Sequence, residues 1–448
     1  MLAPFVLFVF AIFSVGAIWK PQWALAMLLL LFPLKQSMQG AMPIFVQNQA
    51  LANYLVGAVV LVSLAFSFFR GKLKTAGYFN PMWIAMFAGY VYSFLSIMWS
   101  PSKDNALFLV QDGLPYLVMY IFIAPMLLGN LKDWNQVLIV MAVFGCLTAI
   151  FILVSPEFNL KGGRLGMDFS AKIRSSPLAI GELGGFLLLV APLLVLPRRK
   201  LWIDAIRVLV LMTGVILSIY SGSRGQFFFA VILALLFFPV SRPVKNIAQF
   251  FLLSIGSVIL LGAILLVVSF LVGNVDVAQR WLNASENDRA VGIRAANMMD
   301  MLEGFFTTPT GWLTGLGLSA FTSLTGSTEP YSHSMFVDCL VEMGLVAFGI
   351  LIVMLIYSAR KCLELIQFST GHPEDRSAAV VLVALCAYQL LLMNKQGEVW
   401  ASQNTVVYFL LLAKVVSPPM RDSYERELPE PVADATAHDA EGGALATP

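Results

Sequence analysis

Apolar runs long enough to cross a bilayer recur along nearly the whole chain, at about 2–18, 22–34, 50–69, 81–99, 112–128, 136–155, 178–197, 201–220, 226–240, 247–272, 334–358, 378–393 and 399–416. A crossing helix needs about 20 predominantly apolar residues. Inside lipid every backbone N–H and C=O must be paired within the protein, which leaves only helices and closed barrels. The runs are continuous rather than alternating, so a barrel is excluded. The expected fold is all-α, a polytopic transmembrane bundle. The first two runs are short and separated only by Lys20-Pro21, either two short spans or one bent hairpin, so about 12–13 helices are expected. Composition agrees: charged residues make up 12% of the 448, where a soluble domain carries roughly a quarter. The first run has no basic segment before it and no small-residue cleavage site, and is expected to be retained.

Short loops rich in Lys and Arg face the cytoplasm. Arg70, Lys72 and Lys74, then Arg198 to Lys200, Arg242 with Lys245, and Arg360, Lys361 and Arg376 all fall on one side of the expected topology. The C-terminal tail falls on that side too. The opposite side receives the 156–177 loop, the turn at Ser221–Gly225 and a long loop at 273–333. Connections beyond about 15 residues are uncommon unless functional or disordered. This loop carries Trp281, Trp312 and a helix-compatible run at 289–306, so ordered structure at the membrane surface is expected. The chain therefore divides into an N-terminal membrane bundle (1–272), the long outer loop (273–333), C-terminal membrane helices (334–416) and a tail (417–448). From Pro418 onward the tail holds seven acids and two bases, a net of −5 against +2 for the chain. With few large apolar residues, it is expected to be disordered.

Basic residues on the outer side run against the positive-inside bias and need a reason. Five arginines stand there: Arg164, Arg174, Arg224, Arg289 and Arg294. Arg224 lies between two long apolar runs, in Ser221-Gly222-Ser223-Arg224-Gly225. Gly222 and Gly225 permit a tight reversal and the close approach of another group. Ser221 and Ser223 add hydroxyls, and guanidinium binds phosphate oxygens bidentately. The segment reads as an anion cradle, or as an interfacial arginine reaching lipid headgroups. Arg289 and Arg294 are about 140° apart on a helix. They either clamp a ligand from two sides or pair with Glu286, Asp288 and Asp300. Arg164 and Arg174 either contribute to a substrate site or touch lipid phosphates. Arg207, three residues after Asp204, reads as a structural pair.

His333 closes the long loop where an apolar run begins. It is either a polar boundary residue or a base able to take a proton from a hydroxyl. Glu342 falls on the opposite face of that helix and is expected to partner another helix. Glu182, inside an apolar run near its outer end, is expected to counter one of the arginines, since an intramembrane charge needs a partner. Cys146, Cys339, Cys362 and Cys386 lie in or beside apolar runs without CxxC spacing and read as small core residues. No histidine cluster is present for a metal.

The SGSRG segment at a helix end, followed by a long outer loop closed by histidine, resembles the O-antigen ligase and O-antigen polymerase superfamily. The match continues from Arg289 through Pro309, Gly315-Leu316-Gly317 and Phe321 to His333, then to Glu342-Met343-Gly344 at the spacing of the family's His…Glu-x-Gly element. It covers roughly 160–350. The chain has Ser334 where the family usually has Asn, and Ile293 or Arg294 where it often has Trp. That second departure leaves Arg289 and Arg294 exchangeable.

The resemblance implies a metal-independent, cofactor-free glycosyltransferase with a GT-C-like helical fold in the bacterial inner membrane, active at the periplasmic face. Its donor would be a glycan on undecaprenyl diphosphate, its acceptor a hydroxyl of a glycan, lipid or protein, and its surroundings membrane lipid, with no nucleic acid. By position Arg224 matches the diphosphate-binding arginine, Arg289 the arginine opening the outer-loop helix, His333 the residue that activates the acceptor, and Arg174 an arginine of the earlier loop. Arg294, Arg164, Ser221, Ser223 and Glu182 complete the expected substrate contacts. A transporter or flippase is the rival expectation. Its signature would be inverted repeats with helices broken at matched positions. No such pair stands out, since Gly184-Gly185 and Gly315-Leu316-Gly317 lie in unlike contexts.

Overall fold

The computed structural model describes residues 3–167, 176–196, 200–242, 246–256, 258, 262, 281, 284–326, 332–396 and 403–427. Among the described residues the regular structure is helical except for one hairpin, so the all-α bundle holds. Among the described residues eight helices are long and apolar enough to cross a membrane, and the protein is multi-pass. Shorter apolar helices at Ala3–Trp19, Pro177–Leu193, Ile247–Gly256 and Gln403–Val415 accompany them.

The first two apolar runs behave differently from each other. Helix α1 (Ala3–Trp19) is a single uninterrupted element. The second run forms α2 (Pro21–Leu29) and α3 (Leu31–Ala41), separated by a break at Leu30. Pro33 explains the break: it has no N–H, and its ring collides with the carbonyl four residues back, that of Leu29. After the short α4 (Pro43–Gln47) come α5 (Leu51–Phe69), α6 (Pro81–Leu95), α7 (Lys103–Leu117) and α8 (Leu131–Val154). Asn80 and Asn130 cap α6 and α8 by accepting from Trp83 N and Asp133 N.

The 156–177 loop contains a hairpin of β1 (Phe158–Lys161) and β2 (Arg164–Met167), with Lys161 opposite Arg164. Gly162 and Gly163 both have positive φ, as a two-residue type I′ turn requires. Phe158, Leu165 and Met167 are buried. Phe158 packs against Gly40 at the end of α3, where any Cβ would meet its ring.

Then follow α9 (Pro177–Leu193), α10 (Leu201–Tyr220), α11 (Arg224–Ser241) and α12 (Ile247–Gly256). The long loop contains α13 (Ala284–Thr307), α14 (Gly311–Thr314) and α15 (Ala320–Thr325), so the helix expected at 289–306 is present. The bundle closes with α16 (Met335–Phe368), α17 (Pro373–Gln396) and α18 (Gln403–Val415). The tail, expected to lack structure, opens as helix α19 (Pro418–Glu427); its remainder lies outside the described residues.

The polar contacts between helices fall into two chemically distinct groups. At the tail end, Lys414 of α18 donates to Lys74 O at 2.6 Å and also to Pro125 O. Arg376 donates to Val240 O at 2.8 Å, and Val195 N donates to Ser377 Oγ at 2.9 Å. The last carbonyls of α9 are held here by cations: Arg207 donates twice to Ala191 O, at 3.0 and 3.2 Å, and Arg242 donates to Pro192 O at 3.3 Å. Cations at a helix C-terminus complement its dipole. Arg207 also stands 4.0 Å from Asp204, as expected. Lys74, Arg242 and Arg376, from three of the basic loops that the sequence assigns to one side, all take part in these contacts. The opposite, hairpin end carries the β-hairpin, the Ser221–Gly225 turn, α13 and the start of α16.

Candidate functional site

The reversal between α10 and α11 builds the centre of the site. Ser221 caps α10, Gly222 has φ 65°, and α11 begins at Arg224. Gly222 thus makes the turn, and the first N–H groups of α11 are left without intrahelical partners. Ser221, expected as a ligand contact, is instead consumed by the fold. It is fully buried, donates to Ser218 O at 2.7 Å and accepts from Ser223 N at 3.2 Å. Behind it Gln226 donates to Leu178 O at 2.9 Å, and α9 passes close by: a Cβ on Gly181 would come within 2.7 Å of Ser221 Oγ and strike Gln226.

Three of the five expected arginines are brought together. Arg164 on β2 is pushed below the ordinary guanidinium pKa by partial burial and by the charges of Arg294 and Arg224. That coupling places Arg224 of α11 and Arg294 of α13 each within electrostatic reach of Arg164 on the hairpin. Like charges repel and gather only at a cost. Among the described residues the ion pairs are Arg207–Asp204 and Lys361–Glu364, so no described carboxylate neutralises this cluster. Arg224 donates from Nη1 to Trp281 O at 3.4 Å, and the Trp281 ring rests edge-on against Phe227. Arg289 lies on α13, but its side chain is outside the described residues, as is the whole of Arg174.

Ser223 is nearly buried, and its hydroxyl accepts from Lys395 Nζ at 3.3 Å. Lys395 comes from the last turn of α17.

Glu182 departs from expectation. Its partner is an amide rather than an arginine: Gln389 Nε2 donates to Glu182 Oε1 at 2.7 Å. The pair borders a small cavity shared with Tyr388, Asn404 and Tyr408, with room for a water centre of about 20 Å³. The hydroxyl of Tyr388 and Oε1 of Gln389 have no partner among the described residues, and a cavity this size suits one bridging water.

His333 stands immediately before α16 and is half-buried. Its φ is 70°, one of two positive values at non-glycine residues among the described residues. Such backbone costs of order 1–3 kcal/mol and persists where the surroundings over-determine it. Here they do. Asp338, on the first turn of α16, accepts from Ser332 N at 3.2 Å. Ser334 N donates to Ser332 Oγ at 3.1 Å, and Ser332 Oγ donates to Ser334 O at 3.2 Å. The sequence offers no signal for Asp338 beyond an acid in a helix's first turn. Glu342 partners another helix, as expected: its Oε1 accepts from Phe321 N, in the first turn of α15, at 3.3 Å.

His333 and the arginine cluster share the hairpin end and are joined through α13. That helix carries Arg294 and packs on α16 through Met301, Phe305, Phe321 and Val341. Comparison with known proteins finds no matching family model and no matching curated protein.

Proposed function

We propose that this chain is a membrane glycosyltransferase of the O-antigen ligase and polymerase type, GT-C-like in fold. It would move or polymerise a glycan from an undecaprenyl-diphosphate donor onto an acceptor hydroxyl. The membrane is the bacterial inner membrane, the hairpin end faces the periplasm and the tail faces the cytoplasm. The observation that carries the reading is the convergence of Arg164, Arg224 and Arg294 at one end of the bundle with no carboxylate paired to them among the described residues. A leaving diphosphate supplies the anion such a cluster needs, and fixed guanidiniums stabilise its developing charge.

The reaction is a single displacement. The acceptor oxygen forms a bond to the anomeric carbon as the bond from that carbon to the diphosphate oxygen breaks, and the electron pair leaves with the diphosphate. His333 takes the hydroxyl proton and passes it to solvent. One displacement inverts the anomeric configuration. An apolar groove between α6, α16 and α18, lined by Met86, Gly89, Met335, Cys339 and Met343, begins two residues from His333. It suits the lipid tail of the donor.

Transfer from a synthetic polyprenyl-diphosphate glycan by purified protein in liposomes tests the proposal. Solute flux without transfer would favour a transporter instead. Nothing singles out a lipid A-core or protein acceptor, which favours polymerase or exopolysaccharide assembly over ligase. A deletion strain left with one-repeat material marks a polymerase, and one accumulating free lipid-linked polymer marks a ligase.

A further inference from the structure

Glu182 stands in the second turn of α9, inside an apolar run, and its side-chain partner is the neutral amide of Gln389. An ionisable group at membrane depth calls for a compensating charge. Among the described residues the ion pairs are Arg207–Asp204 and Lys361–Glu364, and neither includes it. The aromatic groups within electrostatic reach of it, Tyr120, Tyr388 and Tyr408, bring no positive charge.

The cavity that Glu182 borders gathers oxygen lone pairs. Gln389 Nε2 donates to the carboxylate, and the reverse orientation would set two acceptors face to face. The amide oxygen is therefore the end left over, in a side chain 2% exposed, without a partner among the described residues. Tyr388 is 0% exposed and its hydroxyl is likewise without one. That hydroxyl lies against α9 at Gly185, three residues after Glu182, where any Cβ would strike it. All three side chains line the same space of about 20 Å³.

Water in that space would satisfy the phenol and the amide oxygen but would leave the charge of Glu182 as it is. A proton on Glu182 would cancel the charge but supply one donor. A small cation does both, because it draws on the lone pairs of every oxygen at once. A divalent ion would leave surplus charge beside one carboxylate, and Mg²⁺ keeps several waters, for which the cavity has no room. We propose that this cavity binds one alkali-metal cation, Na⁺ or K⁺, through the Glu182 carboxylate, Gln389 Oε1 and the Tyr388 hydroxyl oxygen. The ion ties α9 to α17. Since Gln226 of α11 donates to Leu178 O one turn earlier on α9, the same tie steadies the backing of the Ser221–Gly225 turn. It does so whatever anion the arginines hold.

The test is thermal unfolding of the full-length protein in detergent, with N-methylglucamine chloride exchanged for NaCl or KCl at constant ionic strength. The expected result is a saturable rise in melting temperature of about 2 °C or more, and the ion acting at the lower concentration is the preferred ligand. Glu182→Gln should lose the rise. Tyr388→Phe should raise the half-saturating concentration about fivefold or more. No rise over N-methylglucamine, which is too large for the cavity, overturns the proposal, as does a rise that Glu182→Gln retains. Should Glu182→Gln not accumulate, binding of radioactive sodium, displaced by unlabelled NaCl or KCl, is compared between wild type and Tyr388→Phe. Stoichiometric binding that Tyr388→Phe weakens supports the site, and no binding or equal affinity overturns it.

Discussion

Gly315 and Gly344 pack backbone against backbone, and that contact locks the outer loop into a break in helix α16. Gly344 has φ 73° inside α16, so the helical ladder is interrupted there. The freed carbonyls of Val341 and Glu342 accept from Leu316 N and Gly317 N, each at 2.9 Å. Ser100 Oγ and Tyr92 OH hold the same loop from the other side, donating to Leu318 O at 2.6 Å and Thr314 O at 2.8 Å. The Gly-Leu-Gly and Glu-x-Gly elements are thus the two halves of one clasp. A broken helix in a transporter exposes such carbonyls to its cargo, whereas here both are taken.

Gly344→Ala and Gly315→Ala should each open the clasp. Both need positive φ, and a Cβ on either would strike the other strand's backbone. The expected loss is on the order of 1–3 kcal/mol or more, read as a lowered melting temperature in detergent. Gly349→Ala is the control: nothing lies near its Cβ position. It should be neutral or stabilising by up to about 1 kcal/mol.

Arg224→Ala and His333→Ala should each abolish transfer while leaving membrane insertion intact. Removing one preorganised charge-stabilising group costs about 10²–10³-fold in rate. Wild-type glycan profiles in both variants would defeat the assignment. Arg164→Ala should cost less than Arg224→Ala, because Arg164 is the more exposed of the two.

Asp338 should matter through the backbone of His333. Asp338→Ala removes the acceptor for Ser332 N and is expected to lower kcat at least tenfold with the donor KM unchanged. Asp338→Asn keeps an oxygen acceptor and should retain most activity. A double variant Asp338→Ala/His333→Ala should be no worse than His333→Ala alone, as expected for residues acting as a unit. Additive losses would show that Asp338 has a separate role.

Glu182→Gln should leave diphosphate binding within about threefold of wild type, because its partner is Gln389 and not an arginine. Glu182→Leu should be destabilising by about 1–3 kcal/mol, since it strands the Gln389 amide in an apolar interior. Loss of diphosphate binding in Glu182→Gln at normal stability would return Glu182 to the anion site.

What the sequence determined by itself is the solvent and the layout. Long apolar runs admit only helices in lipid, Lys and Arg loops sort to one end, and the outer arginines stand out because a charge at a lipid boundary is costly. Those are local or compositional effects. Gly222 is also readable locally, because a reversal within a few residues needs positive φ. Tertiary structure alone decided the partners. Gly225 faces Lys395, which lies 170 positions away in sequence; Glu182 meets Gln389 rather than a guanidinium; Ser221 spends its hydroxyl inside the turn; and Asp338 holds the histidine's backbone. Each is a contact between elements whose facing depends on how neighbouring helices rotate and tilt against one another. Hydropathy carries no information on that rotation, because most faces of a buried helix are equally apolar.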